Sequence, residues 1–137
     1  MRAVRPRRRR HRGFVVTAAV LLPLVAEAAT ATKPQEDAVR RLLANYERAI
    51  ETKDLALFRS VKPNLSSEEE RRLRKAFDST SSHEVTITVE TIECQESHCV
   101  ARLMRRDTLD RSIVSSFPQT LQLGQGPDGL VIEEIGR

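Results

Sequence analysis

The chain has 137 residues, enough for one domain, and a formal net charge of +4. That charge is unevenly placed: seven of the 23 basic residues and one of the 19 acidic ones precede residue 30, which leaves 16 basic against 18 acidic residues, a net of −2. Nothing basic and aromatic is interleaved in that remainder, so the composition excludes a nucleic-acid-binding surface.

The basic start has the form of an export signal. Arg2, Arg5, Arg7, Arg8, Arg9, Arg10 and Arg12 make a positive n-region, Phe14 to Val25 is apolar apart from Thr17 and Pro23, and Ala26-Glu27-Ala28 fits a small-x-small cleavage site. The apolar run is shorter than the roughly 20 residues that span a bilayer. We therefore expect residues 1–29 to be a secretory signal peptide, with the membrane met only through that segment. His11, Arg12 and Gly13 replace the hydrophobic residues that closely follow a twin-arginine pair, which favours general secretion. The expected location is periplasmic or secreted. The remaining 108 residues suffice for a core of their own.

Residues 30–35 form a polar leader, and the domain proper is expected over residues 36–137. Val39, Leu42, Leu43, Tyr46, Ala49 and Ile50 recur at helical spacing, with Pro34, Glu36 and Asp37 suited to the first turn. Asp54 is placed to cap a shorter helix through Leu55, Leu57, Phe58 and Val61, stopped by Pro63. Ser66 and Ser67 each precede a glutamate by three residues, the pattern that opens a third helix with Leu73, Ala76 and Phe77 on its apolar side.

From Glu84 the period changes to two. Val85, Ile87 and Val89 alternate with Glu84, Thr86, Thr88 and Glu90, whereas Ile92 and Cys94 fall in the opposite phase. A bulge near Glu90 or Thr91 reconciles the two phases. It sets Cys94 against Cys99, Ile92 against Ala101 and Val89 against Leu103, with Gln95 to His98 as a four-residue hairpin loop. Cys94 and Cys99 are expected to form a disulfide, in keeping with an oxidising compartment. A polar connection is expected over Asp107 to Ser112. A further strand follows through Phe117, Leu121 and Leu123, with Pro118 at an edge or a bulge. The glycine-rich turn before Leu130 leads to a last strand ending at Ile135. This order defines an α+β fold: a cone-shaped curved antiparallel sheet wrapped by N-terminal helices.

The succession from Ala38 through Tyr46, Ala49, Asp54 and Leu55 to Glu70, then strands, then Gly129-Leu130-Val131-Ile132, resembles the nuclear transport factor 2-like (SnoaL-like) superfamily over roughly Glu36 to Ile135. In many relatives a tryptophan follows that glycine, and here Leu130 stands in its place. The resemblance implies a cone-shaped sheet whose concave side is a site. Its enzymes place a carboxylate, histidine or tyrosine inside the cone; other members bind ligands or associate as dimers.

Glu84, Thr86, Thr88 and Glu90 fall on the outer phase, His83 and His98 sit at element ends, and adjacent Glu133 and Glu134 are expected to face opposite ways. Cys94, His98 and Cys99 lack the ligand number and spacing of a zinc site, so no metal is expected. No phosphate loop or nucleophile elbow is present, and no cofactor is expected. Asn64-Leu65-Ser66 matches a glycosylation sequon, which matters only in a eukaryote. The expected ligand-binding residues are Tyr46, Phe58, Phe77, Arg105, Phe117 and Gln119, on a concave side also lined by Val89, Leu103 and Leu121. Of these, arginine stays protonated and glutamine does not titrate, so the balance falls against catalysis. The leading expectation is an exported, non-enzymatic domain that binds a small apolar ligand or associates with a protein. An isomerase or hydrolase of the same fold, and a homodimer formed through the sheet face, are the alternatives.

Overall fold

The computed structural model describes residues 18–20 and 29–137. Apart from four residues, the segment assigned to the signal peptide lies outside the described residues. Three helices, α1 (Lys33–Glu51), α2 (Leu55–Val61) and α3 (Ser67–Ser79), precede four strands, β1 (His83–Gln95), β2 (His98–Leu109), β3 (Ile113–Gly126) and β4 (Gly129–Gly136). The strands form one antiparallel meander in the order β1-β2-β3-β4, an open and curved sheet. No described helix is long and apolar enough to cross a membrane.

Local chemistry fixes the helix ends. Thr32 and Gln35 close a capping box at α1, Asp54 accepts from Leu57 N at 2.9 Å at α2, and Ser66 and Glu69 close a second box at α3. Each box satisfies two backbone donors that the first turn leaves without partners. Between α1 and α2 the chain reverses at Lys53, whose φ of 53° follows the last turn of α1.

The hairpin of β1 and β2 has the expected register. Val89 lies opposite Leu103, Thr91 opposite Arg102, Ile92 opposite Ala101 and Cys94 opposite Cys99, so Glu90 is the extra, bulged residue. Both cysteines are buried and their Sγ atoms are 2.08 Å apart, a disulfide. The loop differs from the expectation: Gln95 pairs with His98, and only Glu96 and Ser97 form the turn. Glu96 supplies the positive φ, 55°, that a two-residue hairpin connection requires.

A second correction concerns residues 107–109, which belong to β2 and not to a loop. Asp107 lies opposite Val85 and is buried. Pro118 falls where β3 has β2 on one side only, because pairing with β4 starts at Thr120, so the edge expectation holds. At the β3–β4 turn, Gly129 has a φ of 129°, a conformation that side chains disfavour.

The core lies between α1 and the inner sheet face. Val39, Leu42, Leu43, Tyr46, Ala49 and Ile50 of α1 meet Val85, Ala101, Leu103, Leu121, Leu123 and Ile132, with Phe58 and Val61 of α2 closing one side. Tyr46, Leu103, Leu121 and Ile132 are almost fully buried. The outer face carries Thr86, Thr88, Arg102 and Arg106, all exposed.

α1 also protects the free edge of β1. Glu47 accepts from Ile87 N at 2.9 Å and Glu51 from Val85 N at 3.4 Å. Further along, Cys94 N donates to Ala29 O at 3.0 Å and Ala31 N to Ile92 O at 3.4 Å. Edge donors that would otherwise pair with another chain are thereby occupied.

Candidate functional site

The inner face holds a chain of polar side chains that ends where β1 begins. Tyr46 OH donates to Gln119 Oε1 at 3.5 Å and accepts from Arg105 Nη1 at 2.7 Å. Arg105 then grips Asp107 through both carboxylate oxygens, Nε to Oδ1 and Nη2 to Oδ2, each at 2.6 Å. His83 Nε2 lies 2.9 Å from Asp107 Oδ2. The two-residue period of β2 puts Arg105 and Asp107 on one face, and His83 is the diagonal neighbour of Asp107 across the hairpin. Arg105 also lies over the rings of Tyr46 and Phe117, at 5.5 Å from each centroid, and Arg137 lies 5.0 Å from that of Phe117.

The charge states in this chain are fixed by their partners. Burial works to raise the Asp107 carboxyl, but hydrogen bonds from Arg105 and His83 outweigh it and hold the group below the ordinary carboxylate range. Burial likewise works to lower the Arg105 guanidinium, and the bond to Asp107 carries it the other way. Asp107 is thus an ionised acceptor with three hydrogen bonds already made. An internal carboxylate exists, contrary to the sequence reading, yet it is held as a counter-ion and not as a free base. Glu90, expected on the outer phase, is exposed at the bulge.

Five of the six expected ligand-binding residues are near one another; Tyr46, Arg105, Phe117 and Gln119 fill the space between them, and Phe58 also lines the cleft between α2, α3 and β4. Tyr46 and Gln119 are buried, Phe58 packs tilted on Tyr46 with centroids 5.9 Å apart, and Arg105 and Phe117 stack beside them. Phe77 is elsewhere: it lines a shallow cleft with Lys53, Leu55, Arg74 and Asp78 at the far end of α3.

A cleft of about 570 Å³ opens between α2, α3 and β4. Phe58, Leu65, Leu73 and Ile135 give it an apolar wall, and Lys62, Asn64, Glu69, Arg72, Glu133 and Glu134 supply its polar groups. Glu133 and Glu134 reach the same cleft, contrary to the alternation expected of neighbours, because of a second bulge. Gln122 pairs with Glu134 and Leu123 with Ile132, leaving Glu133 as the extra residue. Two contacts hold this bulge. Asn64 Nδ2 donates to Glu133 O at 2.8 Å, and the Glu133 carboxylate lies over Gly124, where a Cβ would stand 1.8 Å from its Oε1. Lys62, the first residue past α2, is buried, with Nζ 3.1 Å from Asn64 Oδ1 and 3.5 Å from Glu69 Oε1.

The fold and cleft define an α+β domain with an open antiparallel sheet, a filled inner face and a sizeable side cleft. No family model matches the chain, and no curated protein matches it. Solved structures do. The chain is similar to Bd1075 of Bdellovibrio bacteriovorus, with a TM-score of 0.66 at 12% identity over 75% of this chain and 40% of that one. It spans less than half of that protein. Kfla4162 from Kribbella flavida aligns with a TM-score of 0.68 at 13% identity, over 77% of this chain and 90% of the other. A conserved protein from Planctomyces limnophilus aligns at 0.65 and 14% identity, over 77% and 96%. At these identities the likeness is one of fold.

Proposed function

We propose that this chain is an exported, non-enzymatic domain of the nuclear transport factor 2-like kind, a cone-shaped sheet wrapped by its N-terminal helices, which binds a small ligand in the cleft between α2, α3 and β4. The observation that carries this reading is the division of the inner surface. The space around Tyr46 and Arg105 is closed by packing and by mutually satisfied hydrogen bonds, whereas the cleft beside Phe58 has the volume and mixed lining of a small-molecule site. The buried disulfide fits an oxidising destination, and with it export by the basic and apolar N-terminal segment.

The argument against catalysis is chemical. A general base needs a free lone pair within reach of its substrate, and Asp107 has its oxygens committed to Arg105 and His83. The dimer reading has less support. Among the exposed large apolar residues of the sheet, Met104 stands between Arg102 and Arg106, whereas Ile113 and Val114 lie at the start of β3 opposite Leu109 and Thr108, so the three form no broad apolar field.

Methyl NMR of the purified protein against a library of small apolar and amphipathic molecules tests the reading. We expect shifts at Leu65, Leu73 and Ile135, and no turnover of enolisable ketones or epoxides. Turnover that disappears in Tyr46→Phe or Asp107→Asn would replace the binding domain with an enzyme. Shifts confined to Met104, Ile113 and Val114 would replace it with a sheet-face subunit.

A further inference from the structure

The cleft contains one group whose chemistry narrows the ligand. The Lys62 side chain is only 7% exposed, although it carries a charge. An ammonium has three donors. Among the described residues, two acceptors meet it, Asn64 Oδ1 at 3.1 Å and Glu69 Oε1 at 3.5 Å. The nearer is neutral. The ionic partner is at the limit of a hydrogen bond, is 46% exposed, and has its other oxygen bound to Ser66 N at 2.7 Å, where it closes the α3 capping box. A charge removed from water needs close compensation, and here the compensation is loose.

Resting on the binding reading above, we propose that the cleft takes an apolar monocarboxylate, with its carboxylate on Lys62 Nζ and its hydrocarbon body against Phe58, Leu65, Leu73 and Ile135. A carboxylate oxygen would give the ammonium its third, charge-assisted hydrogen bond in a site shielded from water. The remaining charges limit the ligand to one negative charge. Glu134 is exposed on the rim, where solvent and salt weaken its field without abolishing it; the Glu133 carboxylate is turned over Gly124 with His98 Nδ1 3.9 Å away, and Arg72 is paired with Glu68 on α3. A second anionic group on the ligand would meet Glu134 on the rim or Glu69 beside Lys62. An amine would meet Lys62.

Calorimetry and methyl NMR on the purified protein, with decanoate, decanol and decylamine as probes, test this. Decanoate should bind more tightly than the other two. Lys62→Met keeps the length and apolar stem of the side chain and should weaken decanoate by about tenfold and decanol, whose neutral hydroxyl is the weaker acceptor, by much less; Lys62→Arg should restore part of the loss. Equal decanoate affinity in wild type and Lys62→Met, or tighter binding of decylamine, overturns the proposal. Decanol binding at Leu65, Leu73 and Ile135 without any preference for decanoate rejects the carboxylate and keeps the ligand cleft. No shift at those methyls with any probe rejects both. Should Lys62→Met fail to fold, the order of the three probes on the wild type still decides.

Discussion

Arg105 and Asp107, two residues apart on β2, form a bidentate pair that is nearly sealed from water, with side chains 12% and 9% exposed. Removing one member of such a pair leaves the other's charge buried without compensation. Asp107→Ala should therefore destabilise the fold by about 3 kcal/mol, measured by urea unfolding. The pH dependence has a definite sign. The folded Asp107 carboxyl lies below its ordinary value of 3.8, so its stabilising contribution is complete above that value and is lost as pH falls through the folded pKa. Asp107→Asn should be less stable than wild type at neutral pH, and the difference between them should shrink on acidification below 3.8.

Glu47 has the opposite sign. Burial raises its carboxyl above the ordinary 4.5, Glu51 adds to the rise, and the Ile87 N–H opposes both. Its contribution favours the fold at low pH and is lost as pH rises from 4.5 through the folded pKa. Glutamine retains an acceptor for Ile87 N without the charge. Glu47→Gln should accordingly raise the melting temperature at pH 7 and leave it nearly unchanged at pH 4. A lower melting temperature at pH 7 would show that the edge cover depends on charge and not on the acceptor alone.

The disulfide closes a short loop, so the chain-entropy account assigns it about 2 kcal/mol. Cys94→Ser should lose stability on that scale and still fold, because Ala101, Leu103, Leu121 and Leu123 remain packed around the site. Thermal unfolding with and without reductant checks this. Wild type under reducing conditions should approach the variant. Non-reducing peptide mapping that finds both thiols free would remove the basis of the comparison.

Much of the architecture was legible because it is written in spacing. Asp54, Ser66 and Glu69 announce helix starts within three residues of where they act, and the change of phase between Val89 and Ile92 locates a bulge without reference to any other strand. The polar groups of the site were not legible in this way. Asp107 reads as the start of a loop because an aspartate in a strand is costly alone, and what makes it tolerable is Arg105 beside it and His83, 24 residues earlier. Lys62 carries no signal in the sequence beyond its place before Pro63; its surroundings come from Asn64, from Glu69 and from β4 at that corner. The Glu133 bulge does leave a phase change, since Ile132 and Ile135 face the core three residues apart, but the contiguous Leu130, Val131 and Ile132 obscure it in so short a strand. A local pattern reports the face of an element; it does not report which distant side chain completes a charge.

Asn64 ties these distant pieces together, which makes it the most informative single substitution at the cleft. Its Oδ1 accepts from Lys62 Nζ, and its Nδ2 donates to Glu133 O at 2.8 Å, so one amide joins the end of α2 to the bulge of β4. The Glu133 carboxylate, held over Gly124, sits on the same bulge. Asn64→Ala removes both hydrogen bonds; water can take up the exposed Glu133 carbonyl, whereas the buried Lys62 ammonium loses its nearer acceptor, so the loss of stability should be about 2 kcal/mol. The effect on the cleft should be larger than the effect on the fold. Without the amide, Lys62 keeps only its long contact to Glu69, and Glu133 loses the anchor that keeps the bulge against α2. Chemical shifts of Gly124, Glu133 and Glu134 should change in Asn64→Ala, while those of Tyr46, Arg105 and Gln119 stay in place. Asn64→Asp separates the two bonds, because aspartate still accepts from Lys62 but cannot donate to the carbonyl. If the shifts at Glu133 follow the alanine variant in Asn64→Asp, the donor side of the amide holds the bulge. If they follow wild type, the bulge is held by Gly124 and the turn of β3 and β4, and the link from α2 to β4 is not what shapes the cleft.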